Sequence, residues 1–236
     1  MLARLVRRVR VPSATTPLFH AAPFSSDVTN NRFHDILQDI HVTVESKKKP
    51  SVKKLTALFR CVTSRQDLVE ATKALRVYET NFVDPEQKTA GEFVKASIEQ
   101  DAADVALKVF QQHHRIGMFV KAGSFNSLLL AFHKKRDHAS ALTLFKQMKM
   151  YRVEPTGDTY TLVFKNLLAA GDFDQCLDLL KVAAETKKLK TDGLNHVLIQ
   201  LLRADQVDHV ATVKDIAIKH EVPQNATTKT LFETKE

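Results

Sequence analysis

A small residue followed by an apolar pair recurs through this chain at a fixed interval. Ala71, Ala106, Ala141 and Cys176 are each 35 residues apart, and Val210 follows 34 later. Pro85, Pro155 and Pro223 fall near matching places. The period divides the chain into units at 52–86, 87–121, 122–156, 157–190 and 191–225. A repeat of this length marks supersecondary units that cannot each bury a core alone, so neighbours must stack and share one.

Each unit reads as two helices. In the third, Phe125, Leu128, Leu129 and Phe132 form one apolar face, KKRDH interrupts, and Ala141, Leu142, Leu144, Phe145 and Met148 form another. The fourth repeats this with Tyr160, Val163, Leu167 and Leu168, then Ala170-Gly171-Asp172 as the turn, then Leu177, Leu179 and Leu180. Gly171 suits a helix C-terminus, where a left-handed residue is needed. The chain has only 6 Gly, 7 Pro and no Trp in 236 residues, a composition that suits helix interiors. The small residue at Ala71, Ala106 and Ala141 is expected where the two helices of a unit cross closely.

The flanks differ from the array. Residues 1–26 hold Arg4, Arg7, Arg8 and Arg10 and no acid, with Leu2, Leu5, Val6 and Val9 on one helical face. That is the pattern of an organelle transit peptide, read as mitochondrial (matrix) first and plastid second. Residues 27–51 are expected to give a short amphipathic helix, striped by Phe33, Ile36, Leu37 and Ile40 behind Asn30 and Asn31, and then a basic linker broken at KKKP. Residues 226–236 read as a C-terminal tail. No run approaches the roughly 18 apolar residues of a membrane span. The net charge of +8 is concentrated at the N-terminal end; from Leu55 onward, 25 Lys and Arg face 23 Asp and Glu. Bulk charge is therefore poor evidence for nucleic acid, and no DNA partner is expected.

Units three and four resemble pentatricopeptide repeats: FNSLLLAF, ALTLFKQM and VEPT, and then GDTYTLVFKNLLAAGDFDQCLDLL, match that family's 35-residue pattern at the right offsets. The resemblance extends, by spacing, over about three quarters of the chain. It implies an all-α, right-handed α-solenoid of about five helix-turn-helix repeats. It also implies that each repeat can hold one base of single-stranded RNA with a residue of its first helix and its closing residue. By position the first helices offer Thr56, Gly91, Asn126, Thr161 and Asn195, and the closing residues are Glu86, Lys121, Thr156, Lys190 and Asn225. The candidate RNA-binding residues are thus Thr56, Lys121, Asn126, Thr156, Thr161, Lys190, Asn195 and Asn225. The family's usual closing aspartate is missing everywhere, Glu86 would repel phosphate, and Gly91 offers nothing to a base.

No catalytic signature is present, and no enzyme activity, cofactor or metal is expected. His113 and His114 are adjacent, so on a helix they point about 100° apart, unlike an i, i+4 metal pair; they read as the partly exposed end of a second helix. Asp101 and Asp104 fit a turn and a helix start. Cys61 and Cys176 lie three units apart and cannot meet in a stack. The expected function is support of mitochondrial RNA metabolism or translation through RNA contact, with organelle RNA as partner. The alternative is a non-catalytic scaffold subunit of the mitochondrial ribosome or another assembly.

Overall fold

Chain reversals every half-unit require helix ends that can be closed by hydrogen bonds, and these set the architecture. The structure is a computed structural model describing residues 26–233, with side chains from residue 32 onward. The expected leader at 1–25 lies outside the described residues. Every unit boundary read from the period falls on the first residue of a helix. The first helices are α2 (Val52–Arg60), α4 (Gln87–Glu99), α6 (Ala122–Lys134), α8 (Gly157–Ala170) and α10 (Thr191–Arg203). The second helices are α3 (Arg65–Thr80), α5 (Ala103–Gln111), α7 (His138–Met150), α9 (Phe173–Glu185) and α11 (Val207–Lys219). Helix α1 (Ser26–Glu45) precedes them and α12 (Ala226–Glu233) follows. No strand occurs among the described residues.

Four of the five first helices end on a left-handed residue: Asp101, Arg136, Gly171 and Asp205. The next N–H then reaches back to the last turn, as in Ala102 N to Ser97 O (2.8 Å) and Asp172 N to Leu167 O (3.0 Å). This closure satisfies carbonyls that the helix leaves open. Phe82, Arg152, Lys187 and Glu221 do the same after second helices. Only Gly171 takes this conformation without the strain of a Cβ.

The first unit breaks earlier than its siblings. Asp67 Oδ2 accepts from Thr63 N (3.0 Å), Thr63 Oγ1 (2.9 Å) and Ser64 N (3.1 Å), and Ser64 Oγ accepts from Asp67 N. This capping box starts α3 at Arg65 and shortens α2.

First helices stack on first helices, α2 through α12, in one layer. Second helices form the other layer, with α3 against α5, α5 against α7 and α9 against α11. The shared core lies between, and the periodic residues Ala71, Ala106, Ala141, Cys176 and Val210 are all buried in it. Aromatic rings tie the first three units together: Phe59–Phe93 at 5.2 Å, Phe93–Phe110 at 6.0 Å and Phe110–Phe125 at 5.1 Å. The molecule is an α-solenoid of helical hairpins.

Three regions depart from the sequence reading. Helix α1 begins before Asn30 and runs longer than expected, while its apolar stripe packs on the first repeat, α2 and α3, as its spacing implied, with Phe33 and Ile40 fully buried and Lys54 paired to Asp39 at 2.7 Å. Residues 226–233 form a helix against α10, where a sixth first helix would stand, and Thr228 is buried. In the second unit α5 stops at Gln111, and a 3₁₀ turn, Arg115–Phe119, follows. Of the pair expected at a partly exposed helix end, His113 is exposed, but His114 is only 4% exposed, with Nδ1 3.1 Å from Glu79 Oε2. Arg115 N donates to the same carboxylate at 2.6 Å. Glu79 recruits the imidazole into the junction, which hydrophobic periodicity alone could not show.

Candidate functional site

The first-helix layer presents one residue per unit at its fifth place: Thr56, Gly91, Asn126, Thr161 and Asn195. Helical phase puts these on the edge of the stack, beside the closing residue of the same unit, because that residue is the one before the next first helix. Lys121, Thr156 and Lys190 are the N-cap residues of α6, α8 and α10, and Glu86 that of α4. All four, and Asn225, are exposed.

Two units bring their pair into contact. Asn126 Nδ2 donates to Thr156 Oγ1 at a long 3.4 Å, and Asn195 Nδ2 donates to Asn225 Oδ1 at 3.2 Å. Each amide is also held from the other side. Thr159 Oγ1 donates to Asn126 Oδ1 at 2.7 Å, and Thr228 Oγ1 donates to Asn195 Oδ1 at 2.7 Å. Thr156 caps α8 through a capping box with Thr159, and Asn225 Oδ1 accepts from Thr228 N at 2.9 Å. The amide planes are therefore fixed; Asn126 is half-buried and keeps one N–H for a ligand, whereas Asn195 is only 9% exposed and its remaining N–H is nearly covered.

The other units are closed or bare. Thr56 is 7% exposed, with its hydroxyl shared with Thr89 Oγ1 at 2.7 Å and near Val52 O at 3.1 Å, so it has no free group to present. Thr161 is half-buried and donates to Gly157 O at 2.9 Å. Lys190 Nζ is taken by Asp158 at 2.7 Å. Lys121 stands exposed and forms no ion pair among the described residues, and Gly91 opens a groove between α4 and α6 floored by Ile98.

The sequence reading missed the third residue of the following unit. Thr89, Thr159 and Thr228 each clasp the fifth residue of the unit before, 33 positions earlier. Gly193 holds that place opposite Thr161, where a Cβ would lie 2.8 Å from the Thr161 hydroxyl. The signal was available, since threonine recurs at these places in three units, but only the stacking register turns it into contact.

A second set of polar groups lies where α8 packs on α7. Asn166, buried on α8, has Oδ1 2.9 Å from His138 Nδ1, and its Nδ2 donates to Leu162 O at 2.9 Å. The His133 and His138 rings are 5.9 Å apart. No cluster of three metal-ligating side chains occurs among the described residues. The two thiols lie apart: Cys61 caps α2 half-buried, while Cys176 is buried in α9, its thiol pushed up to about 12 by desolvation.

Residues 121–169 match a family model described as the PPR repeat family. Among solved structures, the pentatricopeptide repeat protein PPR10 from maize is similar at a TM-score of 0.51 and 15% identity, over 88% of this chain and 30% of that one. PPR10 in complex with an 18-nt psaJ RNA element matches at a TM-score of 0.38 and 16% identity, over 92% and 37% of the two chains. The chain spans about a third of the length of these structures. No curated protein matches it in sequence.

Proposed function

Because residues 121–169 carry pentatricopeptide repeats within an α-solenoid of the same fold, we propose that the array contacts single-stranded RNA and supports mitochondrial RNA metabolism or translation. The observation that carries this reading is the pair of pre-oriented amides, Asn126 beside Thr156 and Asn195 beside Asn225. A side-chain amide fixed at the stack edge can meet the Watson–Crick edge of an unpaired base with both a donor and an acceptor. Its orientation is held by the next unit's threonine, so little rotamer freedom is lost on binding. The mitochondrial address rests on the Arg-rich, acid-free residues 1–26.

Five units and at most two open pairs make for short, weakly selective contact, best suited to an RNA presented by a larger assembly. A second reading, a scaffold subunit of the mitochondrial ribosome or another complex, is favoured by the groove between α4 and α6. There Ile98 and Leu130 stay exposed, at 36% and 39%.

Crosslinking and footprinting of the full chain on mitochondrial transcripts tests the first reading. Asn126→Ala and Asn195→Ala should each weaken binding to a true target by about 1–3 kcal/mol, the scale of one lost base contact. Protection that is identical in both variants removes these residues from the interface. Co-sedimentation with ribosomal particles that survives RNase treatment of free transcripts, together with no protection of RNA at ~100 mM salt, decides for the scaffold.

A further inference from the structure

The clasp between units fails in one place for want of anything to hold. Thr89, Thr159 and Thr228 each meet the fifth residue of the unit before at 2.7 Å. Ser124 is the third residue of α6, and the fifth residue of the unit before it is Gly91. Nothing lies within 4 Å of where a Gly91 Cβ would be, so no neighbouring side chain fills the place. The Ser124 hydroxyl is half-buried and has no hydrogen-bond partner among the described residues. Gly91 and Ser124 line a groove of about 360 Å³, together with Gly123, Ser127 and Lys95.

Two lysines stand three residues before these, Lys88 ahead of Gly91 and Lys121 ahead of Ser124. Their relation to each other follows from a contact made two units later. Lys190, the N-cap of α10, reaches Asp158, the second residue of α8, with Nζ 2.7 Å from Oδ1. Lys121 and Lys88 hold the same two places on α6 and α4. The backbone at the two N-caps is alike, φ −81° and ψ 157° at Lys121 against φ −88° and ψ 147° at Lys190, and neither side chain caps its helix. The places that carry an ion pair in the fourth unit therefore carry two cations in the second. Both lysines are exposed, and neither forms an ion pair among the described residues. The nearby carboxylates are engaged: Asp84 by Arg115 and Glu92 by Arg60, at 2.7 Å each, and Glu99 by Lys95 at 3.7 Å. Glu86, the N-cap of α4, falls by the same equivalence beside Lys53 of α2, one unit back.

Two ammonium groups and a hydroxyl can all donate here, and the protein supplies no acceptor. We propose that Lys88, Lys121 and Ser124 form a phosphate seat for the RNA backbone in the second unit. Like charges held side by side gather counter-ions, and a phosphodiester that displaces them gains by their release. Gly91, with no Cβ, leaves room for the strand to pass close to α4. The second unit thus grips the backbone at the place where its neighbour offers the Asn126 amide to a base. This rests on the RNA reading above and adds to it a contact blind to sequence.

The test uses the full chain and two fluorescent oligomers, oligo(U) and oligo(A) of ~15 nucleotides, since a backbone contact is independent of sequence. Anisotropy is read across a salt series. Lys88→Asp recreates the pair of the fourth unit and gives Lys121 a partner, and an acid in the first turn of α4 suits the helix. It should weaken both oligomers by about tenfold and lower the salt slope by about 1–2. Ser124→Ala should weaken both by about three- to tenfold at an unchanged melting temperature, because the hydroxyl holds nothing in the free protein. Lys146→Gln removes an exposed lysine of α7, in the other layer, and should keep the wild-type slope. A Lys88→Asp variant with wild-type affinity and slope, a loss confined to one oligomer, or an equal loss in Lys146→Gln overturns the seat and leaves RNA binding intact. Full displacement by millimolar inorganic phosphate at constant ionic strength would reassign the seat to a free anion. Absence of binding at every salt concentration sinks the RNA reading itself, and the seat with it.

Discussion

Gly117 shows how a single missing methyl group holds a junction. A Cβ placed there would collide with the Tyr151 ring, whose hydroxyl donates to Phe110 O and His114 O at 3.0 Å each. The tyrosine from the end of α7 thus reaches back into the preceding unit and packs on the 3₁₀ turn, its phenol pushed up to about 12 by burial. Gly117→Ala must displace that ring and its two hydrogen bonds, at a cost of about 1–3 kcal/mol. Urea denaturation of the variant reads this directly, and a midpoint equal to wild type would refute the packing. Nothing in RIGMF announced this role. Gly117 belongs to no periodic face, and the tyrosine that needs it lies 34 residues away.

Among elements, α1 makes the largest addition to the period. A stacked unit exposes an apolar side at each end of the array, and ends need a cover. Helix α1 supplies one by burying Phe33 and Ile40 against α2 and α3. Phe33→Ala should destabilise the protein by about 3–5 kcal/mol, the range for a large buried aromatic. A loss below about 1 kcal/mol in denaturant titration would mean that α1 is dispensable as a cover. The stripe Phe33, Ile36, Leu37 and Ile40 was legible because it obeys helical spacing, as were the first helices at 52, 87, 122, 157 and 191. What the spacing could not deliver were features set by polar side chains. The early start of α3 comes from Asp67 and its three donors, and the turn at His114 comes from Glu79. Helix α12 was hidden for another reason: ATTKTLFE has few apolar residues, and its burial depends on a neighbour already in place.

At the scale of the molecule, acid should loosen the array in two stages. Burial holds the folded pKa values of His133 and His196 below the ordinary imidazole value, so the unfolded chain takes up those protons more readily. Their contribution is present above pH ~6.5 and is lost as pH falls from there. A second loss follows below pH ~4. Asp104 is held down by its paired hydrogen bonds to Arg65, and for Asp67 burial raises the carboxyl while the Thr63 and Ser64 hydrogen bonds outweigh it. Both carboxylates therefore favour the fold above the usual carboxylate range and cease to do so beneath it. Melting temperatures that stay flat between pH 8 and pH 5 would contradict the first stage. The candidate site was half legible from sequence: position picked out Asn126 and Asn195, but their fixing by Thr159 and Thr228 is a contact between units. That clasp bears on engineering. Transplanting one hairpin into a synthetic array would leave its amide swinging loose unless the first turn of its successor travelled with it, so the exchangeable module here straddles the repeat boundary.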